Sequence, residues 1–305
     1  MFQHQNLKSQ FMEQLKKYNL EINEVEIKES VSRIIKESGK YKDIETLKFL
    51  FSIIDLTSLN VSDTRSEITD MTEKVNWFAK TFPNLPNVAA ICVYPALVPV
   101  VKKTLSISGV EIAAVGAGFP ASQTFFDIKT LECKRAVIEG ATEVDTVISV
   151  GEFFEKNYDY VFREIAAQKN SIDEAHLKVI LESGLMRNMK EIRIASLLAM
   201  EAGADFIKTS TGKITPAATP EAAYIMCNCI KEFHKLTGKK IGFKPAGGIS
   251  TADDAIIYYA IVKEVLGEDW LNKKLFRFGA SRLANNLLTE ISKMSTGNDK
   301  PILYF

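Results

Sequence analysis

From about residue 47 onward, short apolar, β-branched runs alternate with stretches long enough for a helix. The runs fall at 51–57, 88–94, 112–119, 143–149, 177–183, 205–210, 241–246 and 276–281. Between them, 66–80, 125–139, 188–202, 220–236 and 252–266 carry apolar residues at three-to-four-residue spacing, the mark of a helix with one buried face. Gly140, Gly203 and Gly238 stand where such helices would end. Eight strands with helix-sized crossovers predict a parallel sheet. Eight is also the number that closes into a (β/α)8 TIM barrel, whose active site sits at the C-terminal ends of its strands. No Gly-x-Gly-x-x-Gly follows an early strand, which counts against an open dinucleotide-binding sheet; Gly116-Ala-Gly118 is a fragment of one. Ahead of the barrel, segments around 7–18 and 25–37 have helical spacing. The expected organisation is an N-terminal helical extension over 1–45, one α/β barrel domain over 46–295 and a C-terminal tail over 296–305.

Composition narrows the class. At 305 residues, 46% apolar and 25% charged, the chain can bury a large core under an ordinary polar surface. Its 38 basic and 38 acidic residues cancel, so no global field favours nucleic acid or an anionic membrane. The longest apolar stretch, 88–101, is too short to span a bilayer and contains Pro95 and Pro99. The first eight residues hold no apolar signal core, and a cytoplasmic protein is expected. Cys92, Cys133, Cys227 and Cys229 have neither disulfide nor zinc spacing, and His4, His176 and His234 are scattered. Buried or neutral thiols, and no metal or other cofactor, are the expectation.

Charged residues recur where the apolar runs end. Asp55 closes the first, Asp145 lies in the fourth, Glu182 ends the fifth, Lys208 the sixth and Lys244 the seventh. In strand alternation Lys208 shares a face with Phe206 and Ser210, and Lys244 with Gly242. Asp145 shares a face with Val147. Gly242 beside Phe206 is the small-against-large pairing that a barrel layer needs. Taken singly, a strand-end Asp is more often a cap and a strand-end Lys a solvated end. Five charges at matching depth predict an enclosed polar site.

Two lysines on neighbouring strands have chemical meaning. A free lysine has a pKa of about 10.4, so roughly one molecule in 2,500 carries a neutral, nucleophilic amine at pH 7. Lowering that value to about 7 requires roughly 4.6 kcal/mol against the ammonium. A second ammonium about 4 Å away supplies up to about 4 kcal/mol at an effective dielectric near 20. Burial is expected to supply the remainder. The imine such an amine forms with a carbonyl permits carbon–carbon cleavage next to it, and Asp145 is the natural proton shuttle. That is class I aldolase chemistry, which needs no metal.

Phosphate recognition is expected nearby. PAGGI (245–249) follows the seventh run and FGAS (278–281) closes the eighth, and loops after strands 7 and 8 are the usual phosphate site of barrels. Gly247, Gly248 and Gly279 allow close backbone approach, Ser281 offers a hydroxyl, and Gly212 and Lys213 lie in the adjoining strand 6 loop. Thr57, Thr211 and Ser250 complete the polar residues expected on substrate.

These residues carry a resemblance. IDLTSLN (54–60), AICVYP (90–95), AGFP (117–120), ATEVDTVI (141–148), LKVILE (177–182), DFIKTSTGK (205–213), GFKPAGGI (242–249) and FRFGAS (276–281) resemble, in order, the deoxyribose-phosphate aldolase family. The resemblance covers about residues 50–290, and the strand 6 and strand 7 motifs are its most specific parts. It implies reversible cleavage of 2-deoxy-D-ribose 5-phosphate to acetaldehyde and D-glyceraldehyde 3-phosphate. It implies Lys208 as the Schiff-base lysine, Lys244 as the lysine that perturbs it, and Asp145 as the proton-relay carboxylate. Asp55 and Lys178 match supporting polar positions, and Cys92 matches a thiol near substrate. The long N-terminal segment is similar to that of eukaryotic members. The residues alone leave open another Schiff-base aldolase, a transaldolase, or a catalytically silent sugar-phosphate-binding barrel; a homodimer is an open expectation.

Two positions depart from the family pattern. Ser250 stands where many members have arginine, and Arg282 where they have a small hydroxyl residue. The phosphate-facing guanidinium is expected to have moved from the strand 7 loop to the strand 8 loop. Some members bring a tail tyrosine to the site; for Tyr304 the expectation is a disordered tail.

Overall fold

The eight apolar runs pair into one parallel sheet. In the computed structural model, which describes residues 10–305, the strands are β1 (Ile54–Thr57), β2 (Ala90–Val93), β3 (Glu111–Gly116), β4 (Glu143–Val147), β5 (His176–Ile180), β6 (Phe206–Lys208), β7 (Gly242–Lys244) and β8 (Phe278–Ala280). Neighbours in sequence are neighbours in space from β1 to β7, and β8 lies beside β1. Bridges Phe243–Phe276 and Ala246–Gly279 join β7 to the β8 segment and close the ring. The (β/α)8 barrel expected from the pattern is the fold found.

Helices α1 (Gln10–Leu15), α2 (Glu24–Glu37) and α3 (Ile44–Ser52) precede β1. Around the barrel follow α4 (Arg65–Thr81), α5 (Val98–Thr104), α6 (Phe126–Ile138), α7 (Val150–Phe154), α8 (Tyr158–Ser171), α9 (Met189–Glu201), α10 (Pro220–Thr237), α11 (Ala252–Leu266) and α12 (Arg282–Thr296). Their starts are written in the sequence: Thr64 and Glu67 form a capping box on α4, and Thr251 and Asp254 form another on α11. Gly238, in the left-handed region at φ 74°, ends α10. Among the described residues no helix is long and apolar enough to cross a membrane.

Two expectations need correction. The first strand was expected from residue 51, but Phe51 belongs to α3. Leu47, Leu50 and Phe51 are buried at helical spacing, and Asp43 accepts a hydrogen bond from the Thr46 N–H as the N-cap. A short apolar run is ambiguous until the cap is counted. The crossover after β4, which has no marked sequence periodicity, is also helical, as α7 and α8. The N-terminal helix expected over 7–18 is seen as α1 from Gln10; its earlier part, and His4, lie outside the described residues.

The tail is the second correction. Rather than hanging free, it docks between α4 and α12. The backbone N–H groups of Tyr304 and Phe305 both donate to Asn285 Oδ1 at 3.0 Å, and Ile302 N–H donates to Thr289 Oγ1 at 2.9 Å. The Phe305 ring stacks on Phe51 and Phe78. Five aromatic rings from three parts of the chain, Phe51, Phe78, Phe82, Tyr304 and Phe305, supply the apolar contact that the tail lacks by itself.

Inside the barrel, the pairing of Phe206 with Gly242 is observed in register. A Cβ on Gly242 would lie 2.2 Å from the Phe206 ring, so the bulk of β6 leaves room for no side chain on β7. Phe206 plugs the layer directly below the lysines.

Candidate active site

Strand register brings the two lysines together: Lys208 on β6 pairs with Lys244 on β7. Their side chains meet at one atom. Lys208 Nζ donates to Asp145 Oδ2 at 2.7 Å, and Lys244 Nζ donates to the same oxygen at 2.8 Å. The two nitrogens can therefore be no further apart than those two bonds laid end to end. Lys244 is fully buried and Lys208 is 3% exposed.

Below them lies a second layer of charge. Lys244 also donates to Asp55 Oδ2, and Lys178 Nζ donates to that oxygen at 2.9 Å and to Glu143 Oε2. Arg277 donates from Nη1 to Asp55 Oδ1 at 2.6 Å and from Nη2 to Glu143 Oε1 at 2.9 Å. All seven groups are buried. Isolated charges at such depth would be very unfavourable; a closed network of hydrogen-bonded pairs is how they are tolerated.

The environment separates the two amines. Burial, the larger cause, and the Lys244 ammonium hold the pKa of Lys208 below the ordinary lysine value against the pull of Asp145. For Lys244, burial acts in the same sense but the carboxylates of Asp145 and Asp55 outweigh it, and its pKa is raised. The order of causes at Lys208 reverses the sequence expectation, in which the second ammonium dominated. At Lys208 the single carboxylate of Asp145 offsets only part of the desolvation, whereas at Lys244 the two carboxylates exceed it. Asp145 is itself buried, yet the three lysines hold its carboxyl well below the usual range. Among the described residues its Oδ1 has no hydrogen-bond partner, with Lys178 Nζ 3.6 Å away.

Above Lys208 opens a cleft of about 720 Å³. Thr57, Thr211, Gly212, Lys213, Gly247, Gly248, Ser250, Gly279, Ser281 and Arg282 all line it, together with Lys208. Gly247 and Gly248 have positive φ, 83° and 81°, and a Cβ on Gly279 would sit 2.8 Å from that of Ala246. Arg282 is the first residue of α12, so the free N–H groups of that helix end face the same region as its side chain's root.

Some expected residues serve differently. Glu182 is not at the lysines; it accepts from Thr211 N–H at 3.1 Å and Thr211 Oγ1 at 2.6 Å, holding the strand 6 loop. Lys213 Nζ donates to the Leu59 carbonyl at 2.5 Å, tying that loop to the one after β1. Cys92 is buried with Leu59, Ala113 and Val115 in an apolar wall, and burial pushes its thiol up to about 11. That is an unreactive thiol at neutral pH. Tyr304 Oη donates to the Lys74 carbonyl at 2.7 Å and does not line the cleft, whereas Phe305 does. Glu143 and Arg277 were missed, although parity could have found both. Glu143 is two residues before Asp145, and Arg277 two before Gly279, so each faces the barrel axis.

Comparison with known proteins gives the chain a family. The DeoC family model, described as "DeoC/LacD family aldolase", matches residues 49–283. The Homo sapiens protein named deoxyribose-phosphate aldolase is 40% identical over 260 residues, covering 81% of this chain and 80% of its own. Its Mus musculus counterpart is 39% identical over the same length and shares. Among solved structures, "QR15, an Aldolase" superposes with a TM-score of 0.66 at 26% identity, covering 80% of this chain and 96% of that one.

Proposed function

This chain belongs to the DeoC/LacD aldolase family, and from that premise we propose that it cleaves 2-deoxy-D-ribose 5-phosphate reversibly through a Schiff base on Lys208. The neutral Lys208 amine attacks the substrate aldehyde carbon, and loss of water gives the imine. Removal of the C3 hydroxyl proton breaks the C2–C3 bond, releasing D-glyceraldehyde 3-phosphate and leaving an enamine on Lys208. Protonation of the enamine carbon and hydrolysis then free acetaldehyde and the amine. Asp145 moves the protons through its free Oδ1, and Lys244 stays charged beside it.

The observation that carries this reading is the single oxygen of Asp145 shared, beneath a glycine-lined cleft, by two lysines whose pKa values the surroundings shift in opposite directions. The phosphate is held by backbone N–H groups around Gly247, Gly248 and Gly279 and the first turn of α12, with Arg282 supplying the guanidinium that Ser250 lacks. Asp55 and Lys178 hold Lys244 in place, Thr57 and Thr211 face substrate hydroxyls, and Cys92 belongs to the wall beside them. The division into extension, barrel and tail, and a cytoplasmic location, belong to the same reading. So does a homodimer, supported by the outward apolar residues Phe125, Ile128, Leu131 and Ile138 along α6. Asp127 and Lys134 at opposite ends of that face suit antiparallel self-pairing.

Borohydride reduction with acetaldehyde, followed by peptide mapping, is the test. The expected result is a permanent adduct on Lys208. An adduct on a different lysine, or none, would refute the assignment; none at all would favour a silent sugar-phosphate binder.

A further inference from the structure

The buried network can be counted as charge. It holds four cationic side chains, Lys178, Lys208, Lys244 and Arg277, and three carboxylates, Asp55, Glu143 and Asp145. With every amine protonated it carries one excess positive charge in a buried space. With one amine neutral it balances. Lys208 is the member with one carboxylate partner and an opening to the cleft, while Lys178 has three carboxylates in range and Lys244 two. An unbalanced charge in a low-dielectric interior is removed at the site where removal breaks fewest pairs.

We infer that Arg277 and Glu143, at the barrel floor and out of reach of substrate, are positioning residues that set this balance and thereby keep Lys208 uncharged for Schiff-base formation. The inference rests on Lys208 being the imine-forming lysine. Arg277 bonds both floor carboxylates and also donates to the Lys273 carbonyl, so its charge is fixed in place. Glu143 takes Lys178 and Arg277 together and has His176 Nδ1 at 3.6 Å on its outer side. The charged and titratable groups facing Lys208 are Asp145 on β4, Lys244 on β7 and Cys92 on β2. Behind these lie Asp55 and Lys178, with Glu143 and Arg277 beyond, and at the cleft rim Glu67, Asp70, Lys74, Lys213 and Arg282. Of these, the floor pair can be altered without touching the cleft.

The sign follows from Coulomb's law. Removing the Arg277 cation favours an ammonium at Lys208; removing the Glu143 anion disfavours it. A unit charge about 10 Å away at an effective dielectric near 20 shifts a titration by about one pH unit. The test is reductive trapping of acetaldehyde with cyanoborohydride across pH, with the Lys208 peptide quantified by mass spectrometry. Arg277→Met is expected to raise the trapping midpoint by about one pH unit, Glu143→Gln to lower it by a similar amount, and the double variant to return it to the wild-type value. Arg277→Lys, which keeps the charge, should also restore it. Where Arg277→Met fails to fold, the opposed behaviour of Glu143→Gln and the double variant decides. A wild-type adduct with unshifted midpoints, or with both single variants shifted the same way, overturns this inference alone. Absence of a Lys208 adduct in the wild type at every pH overturns the assignment of Lys208 first, and this inference with it.

Discussion

The barrel interior and its rim solve opposite problems. Inside, seven charged groups are buried and tied to one another. On the rim, Gly248, Ser281 and Arg282 are exposed around an open cleft. Changing one interior charge unbalances the rest, because low dielectric makes each felt by all. Changing one rim residue alters a single contact that water can replace. In the proposed function, reactivity is tuned in the buried network and binding is done at the open rim.

The largest contrast is between the two lysines themselves. Lys208→Met should lower turnover by about 10⁴-fold or more, as loss of a covalent nucleophile does, yet leave thermal stability unchanged or raised, since the remaining charges balance. Lys244→Met should lower turnover too, but also destabilise the fold by about 3–5 kcal/mol by stripping Asp55 and Asp145 of a shared cation. Paired denaturant melts check this; equal destabilisation of both variants would dissolve the distinction.

Packing below the lysines comes next. Gly242→Val would drive methyl groups into Phe206 and should cost about 1–3 kcal/mol, with part recovered in the Gly242→Val/Phe206→Leu double variant. If the single substitution melts like the wild type, the layer is looser than the 2.2 Å approach implies.

Acid should act on the interior and spare the rim. Lysines and Arg277 hold Asp55, Asp145 and Glu143 below their ordinary values despite burial, Glu143 at about 2. Carboxylates depressed on folding contribute stability that is complete above the unfolded value near 4 and lost as pH falls through the folded one. Melting temperature should therefore fall between about pH 4 and pH 2, with a weaker fall in Glu143→Gln. The smallest effect belongs to the rim: Arg282→Ala should raise KM for the phosphorylated substrate about tenfold with kcat kept. An unchanged KM would place the guanidinium in solvent.

The same division explains what could be read from the chain. Alternation placed Lys208, Lys244 and Asp145 on the barrel axis, because a strand has two faces and the apolar one was plain; Asp55 was read from its place at a strand end. It had equal power to place Glu143 and Arg277, whose charges were overlooked inside familiar motifs. Phe51 was misassigned because a short apolar run, Phe49 to Phe51, fits a buried strand as well as a helix end. Glu182 and Lys213 could not have been placed by parity, since both lie past the last strand residue, where φ at Glu182 turns to 52°. The tail was illegible for a different reason: Phe51 and Phe78, on which it packs, are far away in sequence.

The central claim, that one amine of the pair is neutral because the other and its carboxylates are not, is open to direct titration. Nitrogen-15 NMR of lysine-labelled protein, assigned with Lys208→Met and Lys244→Met, reads each side chain's protonation. The signal absent from Lys208→Met should titrate below the ordinary lysine value of about 10.4, while the signal absent from Lys244→Met stays an ammonium throughout. A Lys208 that remains protonated as long as a surface lysine, or a Lys244 that loses its proton first, would contradict the account.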